Sequence, residues 1–516
     1  MAKINYNYYK NNDNYCYYVL NNLDNSIIEK LKSPANDEII KKENPPLYYF
    51  LLSPHKQCLL NWSDNLSGNI LEISGGLGIN TEYLCKKAES VTTVCFSKIN
   101  AEIINSRLSG YDNLEIIAGD LKEIKFNKKF DYIVVSDVLE LSKILLKNEY
   151  IFINYLKSLL TDKGTIICAV SNRYGISNFS GCADHVTGKS FDSINNYPNI
   201  KFMSSFTKRE LEIIFKKVGF EQINFYYPVP DHYQNRVILS DDSLDMITTG
   251  DKIPMLFKTS GINPNRLINE FQAVKDAIID NKFISVVNSY LIIASLDKEN
   301  LPATIYAQTH KNVLTEICIN NGKKYCKKTA LSDEANQTLE NMYEFYLSET
   351  ERINNLGIKN IRYAELIKDN DSYIMEFAEG KSLNKICLEV LFERDKFLAF
   401  GMEYKSLIYK LYPNVKYQNY EAENHTLENV ACVENANIDL NMSNIYKNGD
   451  NYTIIDYDRT APLIPINYIL AQGIFVFTID AAFSFNEFEY LKLLGLSEDE
   501  IRCYQKIFIS LSKRKK

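Results

Sequence analysis

The sequence predicts an α/β protein of at least two domains, a parallel-sheet domain first and an α+β domain after it. Three observations predict this. The chain has 516 residues, and single hydrophobic cores stop growing near about 250–300 residues. From Leu47 to Ser240 short apolar runs alternate with amphipathic stretches, the pattern of βαβ units on a parallel sheet. From residue 301 the pattern changes to neighbouring strand-like runs followed by one long helix.

Taken in order, residues 1–46 form a polar, Asn-rich leader that ends at Pro45 and Pro46. In the domain 47–240, the segments NILEIS, VTTVCFS, LEIIAG, FDYIVVS and GTIICAV read as buried strands. TEYLCKKA, INAEIINSRL and EYIFINYLKSLL carry apolar residues at helical spacing, as crossover helices do. Residues 241–300 read as a connector with a helix in PNRLINEFQAVKDAIID and a strand in FISVVNSYLIIAS. The domain 301–516 opens with strands ATIYAQ, VLTEICIN and KKYCKKT, then a helix from Ser332 into Asn354.

Composition bounds the function. Hydrophobic residues at 46% and charged residues at 24% are ordinary globular values, and no run approaches the ~20 apolar residues of a membrane span. The first residues lack the apolar segment of a secretory signal, so the eleven cysteines are expected to stay reduced in a cytoplasmic protein. No Cys-x-x-Cys pair occurs and the five histidines do not cluster, which argues against structural zinc. A net charge of −7 argues against a dedicated nucleic-acid binder. The C-terminal KRKK reads as a solvated tail, with peripheral contact to an anionic membrane surface as the alternative.

The chemistry starts in LEISGGLGINTEYL, where a buried strand ends at Glu72 and a turn over Ser74–Gly78 leads into a helix. Such a turn lets backbone approach a ligand closely and aims helix N–H groups at it. Further strand ends follow at regular spacing, reaching Cys95, Asp120 and Asp137. Together these segments resemble the class I S-adenosylmethionine-dependent methyltransferase family over roughly residues 47–240. The family's Glu-x-Gly-x-Gly-x-Gly loop matches Glu72, Ser74, Gly76 and Gly78, with serine in place of the first glycine. The resemblance implies a Rossmann-like fold, methyltransferase activity and S-adenosylmethionine as cofactor. It implies that Asp120 accepts from the adenine amino group and that Asp137 or Glu140 lies near the methionine end or the acceptor. A carboxylate at a helix start is the plainer reading of Glu140. Where the family grips the ribose hydroxyls with an acid, this chain has Cys95, which cannot accept two hydrogen bonds; losing such a partner costs about 1 kcal/mol or more.

After the fifth strand, SNRYGISNFSGCADHVTGKSFD gathers Asn172, Arg173, Asp184 and His185 beyond a strand C-terminus, where α/β sheets place substrate. His185 is the candidate base or acceptor contact, since imidazole takes a proton near neutral pH; a surface histidine is the alternative. PVPDHYQNRV, residues 228–237, offers another wall for the same pocket. Methyl transfer is an in-line displacement at sulfonium, so positioning supplies much of the catalysis without a metal.

A second constellation lies in NIDLNMSNIYKNGDNYTIIDYDRT. Asp439 and Asn444 are spaced Asp-x4-Asn, an Asn-Gly-Asp turn separates two strands, and the second strand ends at Asp456 and Asp458. This order is similar to that of kinase-fold phosphotransferases. The resemblance implies Asp439 as base, Asn444 and Asp456 on Mg2+, and Lys327 or Lys328 on the phosphates of ATP. It further implies Glu340 or Glu344 as the lysine's partner and Met375–Leu383 as the hinge strand. Asn437 stands where a histidine often precedes the base, and residues 301–322 hold no convincing Gly-rich loop. A hairpin with solvated acids is the alternative.

A methyltransferase domain followed by a kinase-like domain resembles the bifunctional methyltransferase/kinase enzymes that terminate bacterial surface polysaccharides. That resemblance implies a sugar or glycan-linked methyl acceptor, phosphorylated by the second domain. Heptads are absent after residue 480, so the chain-length ruler of those enzymes is not expected. Cys95 and Asn437 also fit a scaffold in which both domains have lost activity. A third reading is a methyltransferase joined to an unrelated adaptor.

Overall fold

In the computed structural model, the apolar runs of the first half become adjacent strands of one twisted sheet, buried by helices on both faces. Residues 3–10, 23–62, 66–184, 186–246, 253–257, 266–297, 304–422, 425–457, 459–480 and 485–513 are described. The chain divides into two compact units, residues 1–310 with 316–319, and residues 311–315 with 320–516.

The strands of the first unit are β1 (Lys3–Tyr8), β2 (Asn69–Ile73), β3 (Ser90–Cys95), β4 (Leu114–Gly119) and β5 (Phe130–Ser136). They continue as β6 (Leu160–Ser171), β7 (Gln222–Val229), β8 (Val237–Ser240), β9 (Ser289–Ser295) and β10 (Thr304–His310). Their spatial order is β1-β4-β3-β2-β5-β6-β9-β7-β8-β10. Strands β4, β3, β2, β5 and β6 are parallel neighbours, joined by crossover helices Ile79–Lys87, Lys98–Arg107 and Glu149–Leu159. Ile70, Leu71, Ile73, Ile133 and Val135 are fully buried, which is why these segments read as continuous apolar runs rather than alternating ones. All five expected strands and all three expected crossover helices of this region form.

The leader and the connector are built into this sheet. β1 pairs in parallel with β4, Lys3 opposite Glu115. Helices Asn25–Leu31 and Asp37–Glu43 bury Leu31 and Ile40 against Leu77, Ile79 and Ile103. β9, which the sequence placed in a connector, lies antiparallel between β6 and β7, with Ile292 opposite both Cys168 and Phe225. Leader and connector thus each contribute a strand: β1 at the sheet edge, where the sequence showed only a polar leader, and β9 inside the sheet, within the segment FISVVNSYLIIAS expected to hold a strand.

In the second unit, strand Lys323–Ala330 pairs antiparallel with Ser372–Glu376, which pairs with Leu366–Asp369. The expected helix forms as Asp333–Asn355, with the Ser332 side chain accepting from Ala335 N as its N-cap. The expected hairpin also forms, Ile445–Asn448 against Asn451–Ile454, and Gly449 at its tip has φ +59°. A three-stranded sheet of Lys416–Ala422, His425–Asn437 and Thr460–Pro465 was not foreseen, because its first two strands are polar. Tyr404, Tyr457, Tyr468 and Tyr504 lie in one core, and Tyr404 OH donates to Leu440 O at 2.6 Å, which fixes the start of the Asp439–Asn444 loop. Among the described residues no helix is long and apolar enough to cross a membrane.

Candidate active site

The first unit gathers its chemistry at the C-terminal edge of β2, β3 and β5. Chain reversal after Glu72 is tight. Ser74, Gly76 and Gly78 all have positive φ, 64°, 56° and 92°, and Gly78 N donates to Gly75 O at 2.9 Å. Glycine adopts such angles without cost, whereas Ser74 does so at a non-glycine's expense. Glu72 is buried, and its Oε2 accepts from Thr81 Oγ1 at 2.6 Å and Thr93 Oγ1 at 3.0 Å, tying strand, turn and helix together. Burial raises its pKa, and the two hydroxyl bonds counter this. A Cβ at Gly75 would sit 2.5 Å from Thr93 Oγ1 and 2.9 Å from Glu72 Oε2, so this position has no room for a side chain. A Cβ at Gly76 would meet nothing within 4 Å.

Above the turn is a cleft lined by Glu72, Ser74, Gly75, Gly76, Cys95, Asn100 and Asp137 among others. Asn100 Nδ2 donates to Gly76 O at 3.1 Å and fixes the turn from the neighbouring helix. Cys95 is buried at the end of β3 and lines this cleft, at the position where the family resemblance implies the ribose contact. Asp120 is not among its lining residues; Asp120 Oδ1 accepts from Lys122 N at 3.1 Å, an Asx-type cap of the turn after β4.

Asp137 follows β5, one strand over from the turn, and has φ 59°. A left-handed aspartate beside a cleft stores strain of the kind that clusters at functional sites. Its Oδ1 accepts from Tyr233 OH at 2.7 Å and bonds His232 Nε2. His232 is buried, and its Nδ1 lies 2.6 Å from Ser289 Oγ on β9. Tyr233 is positioned in turn by Asp231, whose Oδ1 accepts from Tyr233 N, while Asp231 Oδ2 takes Tyr49 OH at 2.5 Å. Lys56 lies with its Nζ 4.9 Å from the Tyr233 ring; burial lowers its pKa, opposed by Asp137, Asp231 and Glu72.

Glu140 is buried behind Asp137. Oε1 accepts from Ser171 N at 3.1 Å, and Oε2 has no partner among the described residues. Burial, then the Asp137 charge, pushes its pKa up to about 8. In the polar loop after β6, the candidates are engaged in structure. Asn172 Nδ2 donates to Val287 O at 2.7 Å, Arg173 pairs with Glu210 at 3.0 Å, and Asp184 accepts from Val186 N, Thr187 N and Tyr197 OH. His185 lies outside the described residues. His232 and Tyr233 fall in the segment expected as a pocket wall, but neither was singled out; Lys56, Tyr49 and Ser289 left no local signal, because distant chain segments bring them in.

In the second unit, Lys328 Nζ bonds Asp456 Oδ1 at 2.8 Å. Of the two lysines expected at the phosphates, Lys327 and Lys328, it is Lys328 that is turned to Asp456, since successive strand residues face opposite sides. Asp439 Oδ1 accepts from Arg459 at 2.9 Å, and Asn444 Nδ2 donates to Asp439 O at 2.9 Å, so Asp439 and Asn444 share one loop. Asp456 has φ 56°. Glu340 pairs with Lys368 rather than with Lys328. Among the described residues no group of three or more His, Cys, Asp or Glu side chains forms a metal cluster, and Asp458 lies outside them.

Comparison with known proteins bears on the first unit. Residues 47–224, about a third of the chain, match the family model described as a methyltransferase domain. A probable ribosomal RNA small subunit methyltransferase A from Methanosarcina barkeri is 37% identical over 65 residues, 13% of this chain and 22% of that protein. The chain thus spans less than a quarter of that relative's length. Among solved structures, the plantazolicin methyltransferase BamL is 15% identical, with 52% of this chain and 98% of that one covered at a TM-score of 0.29. A SAM-dependent methyltransferase from Aquifex aeolicus is also 15% identical, with 40% and 93% covered at 0.27. Residues 47–224 thus match a methyltransferase domain, over the same stretch that carries the Ser74–Gly78 turn and the parallel strands described above.

Proposed function

We propose that the chain is a cytoplasmic enzyme that transfers the methyl group of S-adenosylmethionine to a sugar or glycan-linked acceptor. One observation carries the cofactor half of this reading: the Ser74–Gly78 turn reverses tightly and the space over Gly76 is open, so bare backbone faces the cleft. The residues fit the group. Ser74, Gly75 and Gly76 would hold it through backbone, Glu72 keeps the turn in shape, and Asn100 braces the turn's outer carbonyl. Bound there, the group supplies an electrophilic methyl on sulfonium. The chain's own part is to orient the acceptor in line and to exclude water, which is where enzymes of this kind gain most. Calorimetry on the full chain tests it: S-adenosylhomocysteine is expected to bind, and no heat at millimolar ligand ends the catalytic reading. That result would favour the scaffold.

A second activity, phosphorylation of the same acceptor with ATP and Mg2+, rests on the Lys328–Asp456 pair beside the Asp439–Asn444 loop. Lys328 would meet phosphate, Asn444 and Asp456 the metal, and Asp439 the acceptor hydroxyl. ATP with magnesium should raise the melting temperature, and Asp456→Ala should abolish that shift. An unchanged response in the variant removes Asp456 from the site.

A further inference from the structure

Two acidic side chains, Glu72 and Asp137, line the cleft beside the turn; Glu72 is closed off by Thr81 and Thr93, whereas Asp137 is held by an imidazole and a phenol. His232 and Tyr233 both bond its Oδ1, and Ser289 fixes the His232 ring from the other side. The backbone N–H of His232 also donates to Ser289 Oγ, at 3.3 Å. An ionised carboxylate only accepts, so it is His232 Nε2 that carries the ring hydrogen shared with Asp137, while Nδ1 is bonded to the serine hydroxyl. Oδ2 takes the Ser136 hydroxyl at 3.3 Å, a long bond, and the side chain keeps 14% of its surface exposed. The histidine is itself fully buried, so it acts through Asp137 and not on a ligand.

We propose that Asp137 is the acceptor-binding group of the transfer and that the acceptor's nucleophile is an amine nitrogen. This rests on the methyltransferase reading and narrows it. An aspartate, with a reference pKa of about 3.9, is too weak a base to strip a sugar hydroxyl before attack. An amine attacks through its own lone pair. The new C–N bond forms as the C–S bond breaks, sulfur leaves as a neutral thioether, and the nitrogen becomes an ammonium. A carboxylate beside it stabilises that charge, and the proton leaves from the ammonium to water. His232 and Tyr233 are positioning residues: both bond Oδ1, which fixes how the carboxylate stands at the wall of the cleft. An amino sugar would satisfy this chemistry together with the sugar reading.

Sinefungin tests this, because it carries a CH–NH3+ group where S-adenosylmethionine has S–CH3 and otherwise matches S-adenosylhomocysteine. Both are titrated into the full-length protein. Wild type is expected to bind sinefungin about tenfold tighter than S-adenosylhomocysteine, the effect of one charge-assisted hydrogen bond. Asp137→Asn should bring the two affinities within about twofold while leaving S-adenosylhomocysteine binding unchanged. His232→Phe should lose the preference as well, and His232→Gln, which restores an N–H donor, should regain it; a purely structural histidine would show no such rescue. If the preference survives Asp137→Asn, or if the variant weakens both ligands equally, Asp137 does not face the methyl position and the proposal falls. A wild-type protein that binds neither ligand removes the methyltransferase reading itself. Should Asp137→Asn fail to fold, the His232→Phe and His232→Gln ratios decide.

Discussion

At the Glu72–Gly78 turn, the polar side chains bond to one another behind the backbone and leave the cleft side bare. Around Asp456 they do the reverse. Glu72 is closed off by Thr81 and Thr93, so the surface over Gly76 is open backbone. Lys328, by contrast, reaches across to Asp456, and Arg459 covers Asp439, so side-chain charges already meet in the region where phosphate and metal are proposed to sit. Both regions hold an aspartate in the left-handed conformation, Asp137 and Asp456. The contrast teaches that a nucleoside site can be ready without side-chain movement, whereas a phosphate site of this kind must exchange one ion pair for another.

The largest way to break the first half of that contrast is Gly75→Val. Its side chain overlaps Thr93 and Glu72, and overpacking of this kind is expected to cost about 3 kcal/mol; the urea midpoint should fall and S-adenosylhomocysteine binding should vanish. A variant that still binds would show that the turn tolerates refilling.

Glu140 sharpens the comparison through pH. Its pKa of about 8 in the fold exceeds the roughly 4.3 of an unfolded glutamate, so the native state holds an extra proton between these values. Its contribution to stability is full below about pH 4 and is lost as pH rises toward 8, by at most about 1.4 kcal/mol per unit. Urea midpoints from pH 5 to 8 should decline in the wild type and decline less in Glu140→Gln; parallel slopes would reject the assignment.

Cys95→Asp restores an acid at the end of β3 and should tighten S-adenosylhomocysteine about tenfold, or about 1.4 kcal/mol. Calorimetry reads this directly, and weaker binding would show that other groups hold the ribose. The smallest effect is expected from Lys328→Met. Asp456 is 44% exposed, so losing the pair should cost less than about 1 kcal/mol in stability while removing any ATP-magnesium shift. A large loss of stability would mark the pair as structural.

The parallel sheet was legible because strands buried on both faces leave apolar runs, and the turn was legible because glycine marks positive φ at Gly76 and Gly78. The hairpin at Gly449 was legible for the same reason. Pairing across long sequence distances was not. β1 is polar and sits at the sheet edge, and β9 lies about 120 residues along the chain from its partner β6. Site residues followed the same division: Glu72 and Asp137 stand at strand ends and were found, whereas Ser289, Tyr49 and Lys56 arrive from remote segments. Lys327 and Lys328 stood as alternatives because strand alternation gives two faces and no sequence signal says which one meets Asp456. In the polar loop after β6, Asn172, Arg173 and Asp184 bond to neighbouring protein groups, and a sequence rich in donors and acceptors does not tell such structural bonds from ligand contacts.

The insertion of β9 between β6 and β7 has a consequence for the protein as it is made. Until residue 295 has emerged from the ribosome, two neighbouring strands have nothing between them, and a nascent chain exposes their unpaired edges. Ser289, the anchor of the His232 ring, arrives on that same inserted strand. Fragments cut near residue 245 should therefore aggregate on expression, and completion of the sheet and assembly of the Asp137 relay should occur in a single late event of synthesis.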